Sequence, residues 1–144
     1  MERFPITFEQ SYPKPSVEEK ILVATLKAAG KTDNDFCKKL VTWADVIRKT
    51  YFDGGVDEII STRRLVHIAE AYGIFKNKMK AIQVCTNRFD DDTKTSFTDL
   101  YTKVDSGASV EKILADKKAA EEAEILSEKK SDDSEEDAED DFNV

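Results

Sequence analysis

The chain has 144 residues, of which 40% are hydrophobic and 36% are charged, and its net charge is −8. This length is typical of a single domain with a modest core. No apolar run reaches the roughly 18 to 20 residues that a membrane-spanning helix needs, and the opening residues lack the layout of a signal peptide. We therefore expect a cytoplasmic protein that does not engage a membrane.

The negative charge is concentrated at the C-terminus. Residues 131–144 contain eight carboxylates and no Lys or Arg, which leaves 22 acidic and 22 basic residues elsewhere. So many charges with so few apolar residues predict a disordered acidic tail. The neutral remainder offers no basic face for direct binding of nucleic acid.

Two features near the N-terminus predict a short strand and a connector. Phe4, Ile6 and Phe8 alternate with other residues, which predicts a strand over residues 4–9 with one buried face. Pro13 and Pro15 then favour an extended connector, because proline disfavours helix at the residue before it.

Five short helices are predicted next, so the fold class is mainly α, a small helical bundle. Ser16 and Glu19 have the spacing of a capping box at the start of the first helix, and Gly30 favours its end. The second helix is expected to begin near Asp33 and to end at Asp53. The apolar stripes predicted to face inward are Val17, Ile21, Ala24 and Ala28 in the first helix, and Phe36, Leu40, Trp43, Ala44, Ile47 and Tyr51 in the second.

The remaining helices are shorter and are followed by a weaker pattern. Ser61 is expected to cap the third helix and Gly73 to end it; the fourth covers about residues 77–87 and the fifth about 92–104. The predicted inward residues are Leu65, Ile68, Ala69 and Tyr72, then Met79, Ile82 and Cys85, then Phe97, Leu100, Tyr101 and Val104. From Gly107 to about residue 130, sparse apolar residues predict a mainly exposed helix.

The residues needed for several kinds of chemistry are absent from the sequence. No GxxxxGK[ST] loop is present to hold phosphates. Asp90, Asp91 and Asp92 are interpreted as a solvated helix start, so no metal site is predicted. His67, the only histidine, is interpreted as structural, and Cys37 and Cys85 as core residues rather than a disulfide or zinc site.

Two segments resemble the C-terminal half of the MoxR-like branch of AAA+ ATPases. The first contains Glu2-Arg3-Phe4, the strand and Tyr12-Pro13; the second is Ser61-Thr62-Arg63, which is similar to a Ser-Pro-Arg segment of that branch with Thr62 in place of proline. The order and spacing of Trp43-Ala44-Asp45, Tyr51-Phe52-Asp53-Gly54-Gly55 and Ala69-Glu70-Ala71-Tyr72-Gly73-Ile74-Phe75 further resemble the small ATPase subunit of cobaltochelatases and its phage-encoded relatives. The resemblance covers about residues 2–104.

The resemblance implies a division of the chain and roles for two arginines. Residues 1–15 would be a remnant of the AAA+ core, 16–106 the helical lid, 107–130 the exposed helix and 131–144 the tail. Arg63 would sense the terminal phosphates of bound nucleotide, and Arg3 would be a catalytic finger inserted into the neighbouring subunit's site. The alternative for Arg63 is an ion pair with Asp57 or Glu58. Arg64 is expected to form a surface salt bridge.

The implied function is the C-terminal portion of an AAA+ ATPase that contributes nucleotide sensing and subunit contacts to an ATP-driven remodelling ring. ATP and Mg²⁺ would bind only with a complete AAA+ core, so the partners are a core chain or ring subunits and no ATPase activity is expected from this chain alone. The alternative is a stand-alone helical interaction protein whose acidic tail occupies a partner's basic groove.

Overall fold

The computed structural model describes residues 6–132, with side chains as far as residue 127. This range forms a helical bundle, as predicted, and its helices in chain order are α1 (Pro15–Ala28), α2 (Asn34–Phe52), α3 (Thr62–Phe75), α4 (Lys78–Thr86), α5 (Asp91–Asp105) and α6 (Val110–Asp132). The predicted strand is not seen: residues 6–9 pair with no other segment of the described range, and residues 4 and 5 lie outside it. None of the helices between residues 6 and 132 is both long and apolar enough to cross a bilayer.

Helix α2 is the centre of the bundle and contacts α1, α3, α5 and α6. Trp43 is fully buried on it, and its indole donates a hydrogen bond to the carbonyl of Phe97 on α5 at 2.9 Å. The Trp43 ring meets Phe97 and Tyr101 edge to face at 6.1 and 5.9 Å, a favourable arrangement for aromatic rings. The predicted core residues of α2 are buried except Tyr51, which is 40% exposed at the end of the helix.

Helix α1 begins earlier than predicted and without the capping box. Pro15 is its first residue, Lys14 precedes it, and no side chain caps the start. Proline suits this position because its φ is already helical and the amide it lacks would have no partner in the helix. Gly30, with φ of 81°, follows the end of α1 as predicted.

Helix α1 also turns a different face to the core. Glu18, Leu22 and Leu26 are buried. The predicted inward residues are instead exposed: Val17, Ile21, Ala24 and Ala28. Both stripes have helical spacing, so the apolar pattern allowed either orientation.

The predicted starts of α2 and α3 are confirmed. The Asp33 carboxylate accepts the Phe36 amide, and the Ser61 hydroxyl accepts the Arg64 amide. Asp33 also accepts hydrogen bonds from Tyr72 and Lys78 at 3.1 and 3.2 Å. Desolvation raises the pKa of the Asp33 carboxyl, but these hydrogen bonds outweigh it and leave that pKa below its ordinary value.

Helix α3 does not end at Gly73. It continues to Phe75, and Lys76 then adopts the left-handed conformation with φ of 54°. Gly73 serves packing instead, since a Cβ built there would lie 2.5 Å from the Cβ of Ala29. The missing side chain therefore lets the ends of α1 and α3 approach closely.

Helix α6 covers the loop between α2 and α3. The Lys117 ammonium donates to the Gly55 carbonyl at 3.0 Å, and a Cβ at Gly55 would lie 2.6 Å from the Glu121 carboxylate and 2.9 Å from the Thr50 methyl. Ile113 is buried, whereas most of the helix is exposed, as predicted. The helix extends two residues into the predicted tail; residues 133–144 lie outside the described range.

Candidate functional site

The start of α3 exposes an arginine whose side chain has no hydrogen bond or ion pair to another described residue. Arg63 is the second residue of the helix and is exposed to solvent. In the described range its guanidinium has no hydrogen bond or ion pair, so the predicted alternative of pairing with Asp57 or Glu58 does not occur there. None of the five donors of Arg63 is therefore taken up by a residue whose side chain the structure describes.

The residues on either side of Arg63 are both engaged. The Thr62 hydroxyl donates to the Glu18 carboxylate at 2.7 Å. The Arg64 guanidinium donates to the carbonyl of Cys85 on α4 at 3.2 Å. The expectation that Arg64 forms a surface salt bridge is therefore wrong, because its side chain turns inward and joins α3 to α4.

A buried ion pair lies beneath the start of α3. Glu18 of α1 and Arg48 of α2 form two parallel hydrogen bonds of 2.8 and 3.1 Å, and their side chains are 1% and 10% exposed. Such bidentate pairs are strong and fix the orientation of both groups. The third donor of Arg48, Nε, is bound to the Ile60 carbonyl at 3.0 Å.

This pair was missed by reasoning from the sequence, although each member leaves a signal. Glu18 shares the helical stripe of Leu22 and Leu26, and Arg48 shares that of Val41 and Ala44. A charge on the same stripe as buried apolar residues indicates a buried partner of opposite sign. The identity of the partner is not visible, because the two residues are thirty positions apart.

Arg3 lies outside the described residues, so its role stays a prediction. Asp90 caps α5 by accepting the Thr93 amide, in agreement with a solvated helix start. Burial raises the pKa of Cys37 to about 11 and that of Cys85 as well, which suits inert core thiols. His67 is exposed, in agreement with a structural surface residue.

The side chains of residues 6–132 support neither a metal site nor a binding cleft with buried charges. No group of three or more His, Cys, Asp or Glu side chains in that range could hold a metal ion. A cleft of about 280 Å³ opens between α4 and α5, lined by polar side chains that include Gln83, Asn87 and Asp99. No charged side chain that lines the cleft is buried, and Arg63 is not among its lining residues.

Residues 6–132 form a small helical domain that exposes, at the start of α3, one arginine with no ion pair to another described side chain. The family model described as CbbQ/NirQ/NorQ C-terminal matches residues 18–104, which is more than half of the chain. The chain therefore belongs to this family and contains the C-terminal part of a MoxR-like AAA+ ATPase, a domain that works together with an AAA+ core or with ring subunits. Comparisons with curated proteins and with solved structures gave no match.

Proposed function

We propose that this domain senses the nucleotide held by an AAA+ core and contributes subunit contacts to a cytoplasmic ATP-driven remodelling ring. The observation that carries the proposal is the lack of hydrogen-bond partners for the Arg63 side chain among the described residues. Arg63 alone of residues 62, 63 and 64 has a side chain without a hydrogen bond to another described residue, whereas both neighbours are bonded to other helices of the domain. An arginine whose backbone is fixed at a helix start by both neighbours, and whose guanidinium binds no described residue, suits the terminal phosphates of ATP.

The residues of the domain fit the phosphate part of the cofactor but not the metal. Arg63 supplies a planar cation for phosphate oxygens. The carboxylates that would hold Mg²⁺ are not grouped within residues 6–132, and no phosphate-binding loop occurs in the sequence. ATP and Mg²⁺ would therefore be bound chiefly by a complete AAA+ core, and Arg63 would complete that site.

Two finer parts of the proposal rest on the sequence resemblance. Arg3 would act as the finger that reaches the nucleotide of a neighbouring subunit. The likeness to the small subunit of cobaltochelatases and its phage-encoded relatives favours a separate partner protein that the ring remodels. The ATPase would supply only the free energy of ATP hydrolysis.

The central test is ATP hydrolysis by an AAA+ core of this family that lacks its own C-terminal domain, assayed with this chain added. Arg63→Ala is expected to lower kcat by on the order of 100-fold, which is typical for loss of one well-placed donor to a charged transition state. The matched control is Arg88→Ala, because Arg88 is also an exposed arginine of the bundle. Equal rates for the two variants would refute the role of Arg63.

The chain alone gives a second test. We expect purified full-length chain to release no phosphate at rates on the order of 1 per second, the lower end of ordinary phosphotransfer rates. Release at such a rate that is lost in Arg63→Ala would show that the chain holds a complete site.

The second candidate function is a stand-alone interaction protein that acts through its tail. The eight carboxylates of residues 131–144 favour it, because such a run can fill a basic groove. Deleting residues 131–144 separates the two functions. Loss of partner binding would favour the tail, whereas unchanged stimulation of the core would favour nucleotide sensing.

A further inference from the structure

One buried side chain joins the N-terminal segment, residues 6–14, to the start of α3. The ring of Tyr12 lies over the Arg48 guanidinium, with 3.9 Å between Cζ and the ring centroid. The same guanidinium donates from Nε to the carbonyl of Ile60, two residues before α3 begins. A movement of the N-terminal segment therefore reaches the start of α3 through Arg48.

The chain of contacts from Tyr12 through Arg48 to Ile60 is called the joint below, and Glu18 fixes the position of Arg48 within it. One of its carboxylate oxygens accepts from Arg48 at 2.8 Å and from the Thr62 hydroxyl at 2.7 Å, and the other accepts from Arg48 at 3.1 Å. The group is almost completely buried, so these charge-assisted bonds are stronger than they would be in water. Thr62, the residue immediately before Arg63, is thus bonded to the Glu18–Arg48 ion pair.

We infer that Arg48 is a positioning residue, which sets the place of Arg63 according to the position of the N-terminal segment. The inference gains its functional meaning from the proposed nucleotide-sensing role of Arg63. In that setting, the segment that enters the domain and the arginine that meets the phosphate move as one unit, and the Tyr12 stacking contact is the link between them.

Arginine is required at position 48 because three directions of contact are used at once. The planar face stacks on Tyr12, the two terminal nitrogens bind Glu18, and Nε binds the Ile60 carbonyl. A lysine carries the same charge but has neither the fork nor the flat face. Arg48→Lys therefore removes the joint while it leaves a cation beside Glu18.

The test is a cycle of variants of the full chain, read by amide hydrogen exchange in NMR spectra. The reporters are the Arg64 and Leu65 amides, which donate to the Ser61 carbonyl at the start of α3. Tyr12→Leu is expected to speed their exchange by about threefold to tenfold, the range that loss of a cation–π contact allows. In an Arg48→Lys background the same Tyr12→Leu change is expected to alter exchange by less than about twofold, since the link is already broken.

The cycle separates a joint from ordinary stabilisation. Thr98→Val is the control, because Thr98 donates within α5 to Lys94 and has no connection to α3. A Tyr12→Leu effect of equal size in both backgrounds would overturn the inference, and so would no effect in the first background. Should Arg48→Lys lose its cooperative unfolding transition, the Glu18→Leu, Arg48→Met double variant replaces it, because an apolar pair can substitute for a buried ion pair.

The inference and the proposed function fail in different ways. Arg63→Ala leaves the joint intact, so the Tyr12→Leu effect on exchange persists in that variant even though activity with the AAA+ core falls. If exchange shows no coupling while Arg63→Ala still lowers activity, the proposed function stands and the inference is overturned. Coupling without any activity loss in Arg63→Ala would retain the joint and refute the sensing role.

Discussion

Removal of the Glu18 carboxylate is expected to destabilise the domain strongly. In Glu18→Ala the Arg48 guanidinium stays buried and loses two of its hydrogen bonds, keeping only the one to the Ile60 carbonyl. The Thr62 hydroxyl loses its acceptor as well. Breaking a buried pair from one side costs about 3 to 5 kcal/mol. That is a large part of the roughly 5 to 15 kcal/mol by which small domains are stable.

Urea unfolding followed by tryptophan fluorescence measures this loss directly. Trp43 is the only tryptophan and is fully buried, so its emission shifts when the core opens. The control is Asp45→Ala, which removes an exposed ion pair to Lys49 within α2 and is expected to cost less than about 1 kcal/mol.

The double variant Glu18→Leu, Arg48→Met tests the cause of the loss. It removes both charges and is expected to regain most of the free energy of unfolding lost in Glu18→Ala, because no unpaired charge remains buried. A cost for Glu18→Ala no larger than that for Asp45→Ala would refute the reasoning that the buried pair holds α1 on α2.

Three further changes test other parts of the bundle. Gly73→Ala is expected to lower the free energy of unfolding by about 1 to 3 kcal/mol despite the better helix propensity of alanine, and Ala29→Gly in the same chain is expected to recover part of it, both measured by urea unfolding. The pKa of the Asp33 carboxyl is lowered in the folded chain. The stability that this carboxylate contributes is therefore present above its unfolded pKa of about 4 and is lost as pH falls through the folded pKa. Asp33→Asn should accordingly flatten the decline of the urea midpoint between about pH 5 and pH 2. Tyr101→Phe removes a buried hydroxyl that has no hydrogen-bond partner in the described range, and thermal unfolding should show unchanged stability or a gain of about 1 kcal/mol.

The sequence predicted those elements whose signals are local. Asp33 and Ser61 each cap the helix that follows them, because the cap and the amide it accepts are three residues apart. The exposed position of Arg63 was expected only from the family resemblance carried by Ser61-Thr62-Arg63, because residue type and spacing alone favoured an ion pair with Asp57 or Glu58. Helical spacing identified the inward faces of α3 and α5 for the same reason.

The parts that were missed depend on contacts between distant residues. The face of α1 that meets the core carries Glu18, whose partner Arg48 lies on another helix, and this contact is not visible in the helical spacing that favoured the opposite face. Gly73 was interpreted as a helix end, whereas its role is to make room for Ala29. The N-terminal strand was expected from alternation alone, but a strand needs a neighbour, and the described range contains none.

The close packing around Gly55 has a consequence for how related sequences vary. Gly55 has no positive φ, so its backbone conformation does not by itself demand glycine. A Cβ there would meet the Glu121 carboxylate, which ends a flexible side chain and can move aside, and the Thr50 methyl, which stands on α2 whether or not α6 is present. Homologues with a β-branched residue at position 50 should therefore keep glycine at position 55, whereas those with a smaller residue at position 50 should tolerate alanine, so that an alignment divided by the residue at position 50 would reveal the constraint.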